Sequence, residues 1–134
     1  SDNDIAINLS MPPSIMWHCD GHLIERASQN YITNALRYAK SRIVVNVHIT
    51  KSCLHIDVED DGEGVKEQDY EQVFKAFSRI NESRNKADGG FGLGLAIVNR
   101  IVDWHQGQCM VARSELGGAK FTMVIPKMTP HHTV

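Results

Sequence analysis

Polar side chains recur along one segment of the chain at the spacing of successive helix turns. Asn30, Asn34 and Arg37 follow one another at intervals of four and three residues, with Tyr38 beside them, so a helix would align them on one face. The amide oxygen of asparagine is a neutral, hard ligand suited to Mg²⁺, which retains waters and phosphate oxygens. Arg37 could then meet the same phosphates. A solvated helix face is the alternative explanation, because polar faces are ordinary on amphipathic helices.

Two adjacent carboxylates mark a second candidate site, in the stretch VEDDGEG of residues 58–64. The alternation that directs the apolar residues of the preceding strand inward also turns Asp60 inward and Asp61 outward. A buried carboxylate is costly unless something donates a hydrogen bond to it. The donor could be a backbone N–H of the following turn or the amino group of a ligand, such as that of adenine. Gly62 and Gly64 would let a flat ring lie close to the backbone, and Asp61 is expected to be a turn residue.

Glycines cluster in DGGFGLGLAIVNR, residues 88–100, directly before an apolar helical segment. Free N–H groups and the helix dipole at such a terminus could bind an anion, although the same glycines also suit a hinge. A polar loop with Arg79, Arg84 and Lys86 precedes them. Its composition predicts a mobile lid that becomes ordered when a polyphosphate binds.

The elements that must position these residues alternate between strand and helix patterns. Alternating apolar residues predict strands at 5–10, 43–50, 53–59, 108–114 and 119–126. Helical periodicity predicts helices at 20–39 and 93–105 and a short amphipathic piece at 70–77, with Asp20 as an N-cap. Because the strands occur mostly as hairpins, we expect an α+β fold in which the helices pack on one face of a mixed, mostly antiparallel sheet.

Composition sets further limits. A chain of 134 residues that is 42% hydrophobic predicts one domain, residues 1–127, followed by a flexible tail at 128–134. The net charge of −2 gives no reason to expect a nucleic-acid surface, and no apolar run reaches the roughly 20 residues that span a bilayer. The cysteines lack CxxC spacing, which favours reduced thiols in the cytosol over zinc. The histidines are expected to be surface or packing residues.

Taken in order, these segments resemble the nucleotide-binding boxes of bacterial sensor histidine kinases. The likeness is to their catalytic and ATP-binding domain, within the wider group that includes gyrase, mismatch-repair and heat-shock-chaperone ATPases. NYITNALRYA resembles the N box, DDGEG the first glycine box, VFKAFSR the F box and GGFGLGLAIV the second glycine box. The likeness runs from about Ile5 to Pro126 and implies a two-layer α/β sandwich of the Bergerat type.

The resemblance also implies site residues. Asn34 would coordinate the Mg²⁺ that bridges the ATP phosphates, with Asn30 in support, and Asp60 would accept from the adenine amino group. Phe74 and Phe77 would anchor the base of the lid. The whole implied nucleotide-binding set is Asn30, Asn34, Arg37, Tyr38, Asp60, Gly62, Gly64, Phe77, Lys86, Gly90, Gly92, Leu93 and Gly94. The implied catalytic residues are Asn34, Arg37, Arg79 and Arg84.

Position 30 distinguishes a kinase from a hydrolase. The ATPases of the wider group have a glutamate there as general base for water, whereas this chain has Asn30, so hydrolysis should be slow. The resemblance therefore implies transfer of the γ-phosphoryl group to a histidine. A hydrolysing ATPase and a non-catalytic regulatory nucleotide-binding module are the alternatives.

The phosphoacceptor is expected outside this sequence. In the kinases it lies on a dimerisation-domain helix, followed by an acidic residue, and none of the seven histidines has that setting. The resemblance thus implies a cytoplasmic domain of a homodimeric inner-membrane sensor. Its partners would be its own dimerisation domain and a downstream response regulator.

Overall fold

The structure, a computed structural model, describes residues 4–74 and 91–127, apart from the side chains of 91–93. Its strands are β1 (Ala6–Ser10), β2 (Arg42–Thr50), β3 (Cys53–Asp60), β4 (Gln108–Arg113) and β5 (Ala119–Pro126). Its helices are α1 (Gly21–Tyr38), α2 (Phe91–Trp104) and a short 3₁₀-helix (Glu67–Gln72). The predicted α+β class and the predicted number of strands are confirmed.

The strands form one mixed sheet in the order β1-β2-β3-β5-β4. β1 runs parallel to β2, and the other neighbours are antiparallel. Apolar side chains alternate along β3 and β5, so that Val58 pairs with Phe121 and Ile56 with Met123 on the buried face. α1 and α2 pack against each other and against this face, which gives the two layers that the sequence predicts.

Helix α1 begins and ends where its sequence predicts. Asp20 caps it by accepting a hydrogen bond from the Leu23 N–H at 3.0 Å, which satisfies one of the free N–H groups of the first turn. The helix ends at Tyr38, since Ala39 is already extended. Tyr31 is completely buried at mid-helix, and its hydroxyl donates to the backbone carbonyl of Thr122 at 3.1 Å. This bond ties α1 to the centre of β5.

His105 joins the end of α2 to the beginning of α1. Its Nε2 accepts a hydrogen bond from the Asp20 N–H at 3.0 Å, so its Nδ1 carries the proton and donates to the carbonyl of Ile101 at 2.9 Å. The side chain is buried, and a ring nitrogen that accepts a hydrogen bond belongs to the neutral imidazole. His105 is a packing residue, as the sequence predicts for isolated histidines.

Two local predictions need correction. Where the sequence predicts a short amphipathic piece at 70–77, the structure has the end of a 3₁₀-helix at Glu67–Gln72, and residues 75–77 lie outside the described residues. Helix α2 begins at Phe91, two residues before the predicted start, a difference of the size by which assigned helix ends commonly vary. The turn at Lys51 and Ser52 has only those two residues, as the predicted strand bounds imply, and pairing along the whole β2–β3 ladder accommodates their poor turn chemistry.

The described residues also bear on metal clusters, cysteine pairing and membrane-spanning helices. In residues 4–74 and 91–127 no cluster of histidine, cysteine, aspartate or glutamate could hold a metal ion. Cys19, Cys53 and Cys109 are free thiols. No helix within those ranges is long and apolar enough to cross a membrane.

Candidate functional site

A cavity of about 390 Å³ lies between the last turns of α1, the end of β3 and the beginning of β5. α1 and the segment after it supply a polar wall, the residues after β3 a mixed wall, and β5 an apolar floor. Among the described residues the lining consists of Asn34, Arg37, Tyr38, Lys40, Asp60, Glu63, Gly64, Val65, Ala119 and Phe121. The structure therefore brings most of the first two predicted clusters together in one cavity, whereas Asn30 and Gly62 are not in its described lining.

The two asparagines of α1 have different surroundings. Asn34 is only 7% exposed yet lines the cavity, so the alternative of a solvated helix face does not hold at this position. Asn30, one turn earlier, is half-buried, and its amide Nδ2 is buried with no hydrogen-bond partner in the described part of the chain. An unsatisfied buried amide is costly. Asn34 therefore offers an amide oxygen at the cavity wall, while Asn30 has a buried Nδ2 that lacks a partner among the described residues.

Asp60 faces inward at the end of β3, as alternation predicts, and is 2% exposed. Its Oδ1 accepts hydrogen bonds from the N–H groups of Gly62 at 2.8 Å and Ala119 at 3.4 Å. Both bonds from the described residues go to Oδ1, so this carboxylate keeps acceptor capacity at Oδ2. Burial raises the pKa of the Asp60 carboxyl, and these two hydrogen bonds oppose the rise. Of the two partners predicted for it, the backbone N–H of the turn is present, and the ligand amino group stays a prediction.

The glycines near Asp60 are required by the protein's own backbone. A β-carbon on Gly62 would collide with the carbonyl oxygen of Tyr38, and Gly64 has a φ of +80°, where L-residues are strained. Gly62 is absent from the described cavity lining, whereas Gly64 belongs to it. The protein's own backbone thus requires glycine at both positions, and their role in making room for a flat ring stays a prediction.

Asp61 points away from the core, as predicted. It is more than a turn residue, because its carboxylate accepts hydrogen bonds from the backbone N–H groups of Lys40 and Ser41 at 2.8 and 3.0 Å. These bonds hold the pKa of the Asp61 carboxyl well below its usual range, the Ser41 N–H having the largest effect.

The predicted lid lies mostly outside the described residues. This applies to Phe77, Arg79, Arg84, Lys86 and Gly90 and to the side chain of Leu93. The backbone of Gly92, Leu93 and Gly94 forms part of the first turn of α2. Phe74 is described, and its ring meets that of Phe121 edge to face at 5.9 Å. The F-box segment thus begins against the cavity floor.

Several lining residues were not predicted. Lys40 adds a second cation three residues after Arg37, and its helix-like spacing could have revealed it. The sequence has no such signal for the other four, which are Glu63, Val65, Ala119 and Phe121. The last two lie in β5, and only the pairing of β3 with β5 brings them to Asp60. Gly118, which lies between β4 and β5, was not predicted either. It donates its N–H to the Asp60 carbonyl, and a β-carbon there would collide with Asp60 Oδ1.

The family model described as histidine kinase-, DNA gyrase B-, and HSP90-like ATPase matches residues 19–129. The chain belongs to this family. The match includes every described residue of the cavity.

Individual relatives are sensor proteins. The sensor histidine kinase CpxA of Escherichia coli K12 is 37% identical over 123 residues, which are 90% of this chain and 27% of CpxA. The sensor protein RstB of the same strain is 39% identical over 107 residues, or 80% of this chain and 25% of RstB. The chain thus spans about a quarter of the length of these relatives.

Solved structures share the fold. The ATP-binding domain of PrrB from Mycobacterium tuberculosis superposes with a TM-score of 0.74 at 23% identity, covering 94% of this chain and 82% of that one. Full-length ShkA in complex with AMPPNP gives 0.73 at 26% identity, covering 96% of this chain and 26% of ShkA. These similarities confirm the predicted two-layer sandwich.

Proposed function

We propose that this chain is the Mg·ATP-binding catalytic domain of a sensor histidine kinase, which transfers the γ-phosphoryl group of ATP to a histidine. The observation that carries the proposal is the meeting of Asn34 and Asp60 in one cavity. One side chain offers an oxygen for a cation and its phosphates, and the other a carboxylate for an amino group. Family membership and the kinase names of the relatives support the same reading.

The cavity has complementary parts for the two ends of ATP. Asp60 would accept from the adenine amino group, while the apolar floor of Phe121 and Val65 would cover the ring. Arg37 and Lys40 supply positive charge on the α1 side, as phosphate oxygens require. The nucleotide would thus lie with its base toward β3 and β5 and its phosphates along α1.

The donor set fits a magnesium ion coordinated by the phosphates. Asn34 would hold it through its amide oxygen, and Asn30 would support the site. A bound Mg²⁺ neutralises phosphate charge. The protein's own contribution is then positioning, since a neutral imidazole is already a competent nucleophile. Its nitrogen would bond to the γ-phosphorus while the bond to the bridging oxygen of ADP breaks.

The remaining proposals concern the longer protein. The acceptor histidine would belong to a dimerisation domain, and a response regulator would take the phosphoryl group from it. Arg79 and Arg84 would approach the γ-phosphate or that domain. The domain would face the cytoplasm, and the sensor would be a homodimer in the inner membrane.

Two measurements test the proposal. Titration calorimetry with ATP should show saturable binding that strengthens with Mg²⁺. With the protein's own dimerisation domain added, radiolabelled γ-phosphate should appear on its histidine, with little free phosphate when that domain is omitted. Absence of binding would refute the nucleotide site. Steady phosphate release without an acceptor would favour the hydrolysing ATPase, and binding without either reaction would favour the regulatory module.

A further inference from the structure

The carboxylate of Asp61 binds the segment that directly follows helix α1. Its Oδ1 accepts hydrogen bonds from the N–H groups of Lys40 at 2.8 Å and Ser41 at 3.0 Å. Its Oδ2 accepts from the Ser41 hydroxyl at 2.7 Å. One side chain therefore satisfies two backbone donors and a hydroxyl at the point where α1 turns into β2.

A second contact reinforces the same junction. Gly62, the next residue after Asp61, lies so close to the carbonyl of Tyr38 that it has no room for a β-carbon. The last residue of α1 and the loop after β3 are thus joined by direct backbone approach as well as by the Asp61 carboxylate. We call these two contacts, those of Asp61 and of Gly62, the junction clamp.

The two segments joined by the clamp form the polar wall and the mixed wall of the cavity. Arg37, Tyr38 and Lys40 come from the α1 side, while Asp60 and Glu63 come from the β3 side. Residues 61–66 between β3 and the 3₁₀-helix belong to no helix or strand. No ladder of backbone hydrogen bonds therefore fixes the loop, and side-chain bonds must hold it instead.

We propose that Asp61 is a positioning residue for nucleotide binding: it holds the Asp60–Gly64 loop at a fixed distance from the end of α1, so that the base and phosphate contacts form together. The proposal rests on the proposed function, because it assigns no ligand of its own. Its energetic basis is preorganisation, since a loop already ordered in the free protein loses less entropy when the ligand binds.

Two substitutions of Asp61 differ in how many of its hydrogen bonds they preserve. In Asp61→Asn the amide oxygen can still accept from both N–H groups, while its nitrogen donates to the Ser41 hydroxyl, which can reverse its role. In Asp61→Ala all three bonds are lost. We expect the affinity for AMPPNP to fall about tenfold in Asp61→Ala and to stay within about twofold of the wild type in Asp61→Asn.

Two controls separate positioning from general damage. Glu25→Gln removes an exposed carboxylate from α1, so it controls for the loss of one negative charge. Val102→Ala opens a gap in the buried face of α2 away from the described cavity lining and lowers the melting temperature as a core truncation does. Both should bind AMPPNP like the wild type at a temperature well below every variant's melting point.

Hydrogen exchange in the ligand-free protein gives a readout that general destabilisation does not reproduce. The N–H groups of Gly62, Gly64 and Ser41 should exchange at least about tenfold faster in Asp61→Ala, whereas Val102→Ala should leave their rates relative to the rest of the chain unchanged. Equal affinity and equal exchange in Asp61→Ala and the wild type would overturn the positioning role. Failure of the wild type itself to bind AMPPNP would instead refute the proposed function, and with it any role of the clamp in binding.

Discussion

The backbone of Gly118 lies directly against the carboxylate of Asp60. Its N–H donates to the Asp60 carbonyl at 3.1 Å, and a β-carbon at this position would collide with Oδ1 of the same residue. The β4–β5 hairpin therefore forms part of the Asp60 site, although it is 58 residues away in sequence. Closeness of this kind makes the site sensitive to a single methyl group.

We expect Gly118→Ala to disrupt the site. The added methyl group must displace either the carboxylate or the β5 backbone, so we predict a loss of about 1–3 kcal/mol in the free energy of unfolding and no measurable AMPPNP binding. Urea denaturation and calorimetry test this. Gly21→Ala is the matched control, because a β-carbon there meets nothing within 4 Å. It should leave AMPPNP binding unchanged and should not lower the free energy of unfolding, since alanine is the better helix former. Unaltered binding in Gly118→Ala would show that the Asp60 carboxylate can move without loss of function.

Asp60→Asn should improve stability at neutral pH while abolishing nucleotide binding. The amide can keep its oxygen toward Gly62 and Ala119, but its nitrogen cannot accept from an adenine amino group. Because the pKa of Asp60 is raised in the folded state, the folded protein binds the proton more tightly than the unfolded chain. The contribution of Asp60 to stability is thus greatest at low pH and is lost as pH rises through the raised pKa.

The prediction for Asp60→Asn is therefore a difference that depends on pH. The variant should be more stable than the wild type by about 1 kcal/mol at pH 7, of the order of the cost of a buried polar group with incomplete bonding. The gap should narrow as pH falls toward about 4, the ordinary range of an aspartate. Chemical denaturation across this range measures it, and a variant less stable than the wild type at pH 7 would contradict the desolvation argument.

The Asp61 carboxyl predicts the opposite pH dependence. Its pKa is lowered by the N–H of Ser41 and the other bonds of the clamp, so its stabilising effect is complete above the unfolded pKa of about 3.9. It is lost as pH falls through the lower folded value. Asp61→Asn should consequently be less stable than the wild type at pH 7, and the two should converge at acid pH. A gap independent of pH would show that the charge of Asp61 contributes nothing.

Periodicity predicted most of the fold, since elements with strong alternation or helical spacing matched the structure to within a few residues. It also placed Asp60 inward, because a carboxylate that ends an apolar strand inherits the period of the strand. The partner of Asp61 could not be predicted, since Lys40 and Ser41 are brought to it by the pairing of β2 with β3. Gly118 and Phe121 were not predicted for a similar reason, because the pairing of β3 with β5 brings them to Asp60. Local patterns predict which residues face a site but not which distant backbone completes it.

Tyr31→Phe tests whether the core of the domain and its cavity are energetically separate. The substitution removes the hydroxyl that donates to Thr122 and leaves the ring that packs on Phe121 with centroids 5.6 Å apart. We expect a loss of about 1–2 kcal/mol in unfolding free energy and unchanged affinity for AMPPNP, because Tyr31 does not belong to the described lining. Weaker binding would reveal coupling through Phe121, which touches Tyr31 and also forms the cavity floor.

Asn34→Ala should remove the magnesium dependence of nucleotide binding. Asn34 is the amide oxygen donor on the described cavity wall, and Mg²⁺ favours such hard oxygens together with phosphate. In the wild type, AMPPNP should bind about tenfold or more tightly with Mg²⁺ than with chelator, a range typical for groups that support a metal site. In Asn34→Ala the two affinities should become nearly equal, while metal-free binding through Asp60 persists. Thr33→Ala, an exposed neighbour on the same helix, is the control and should keep the full difference. A variant of Asn34 that retains the same dependence on Mg²⁺ would transfer the metal role to other residues.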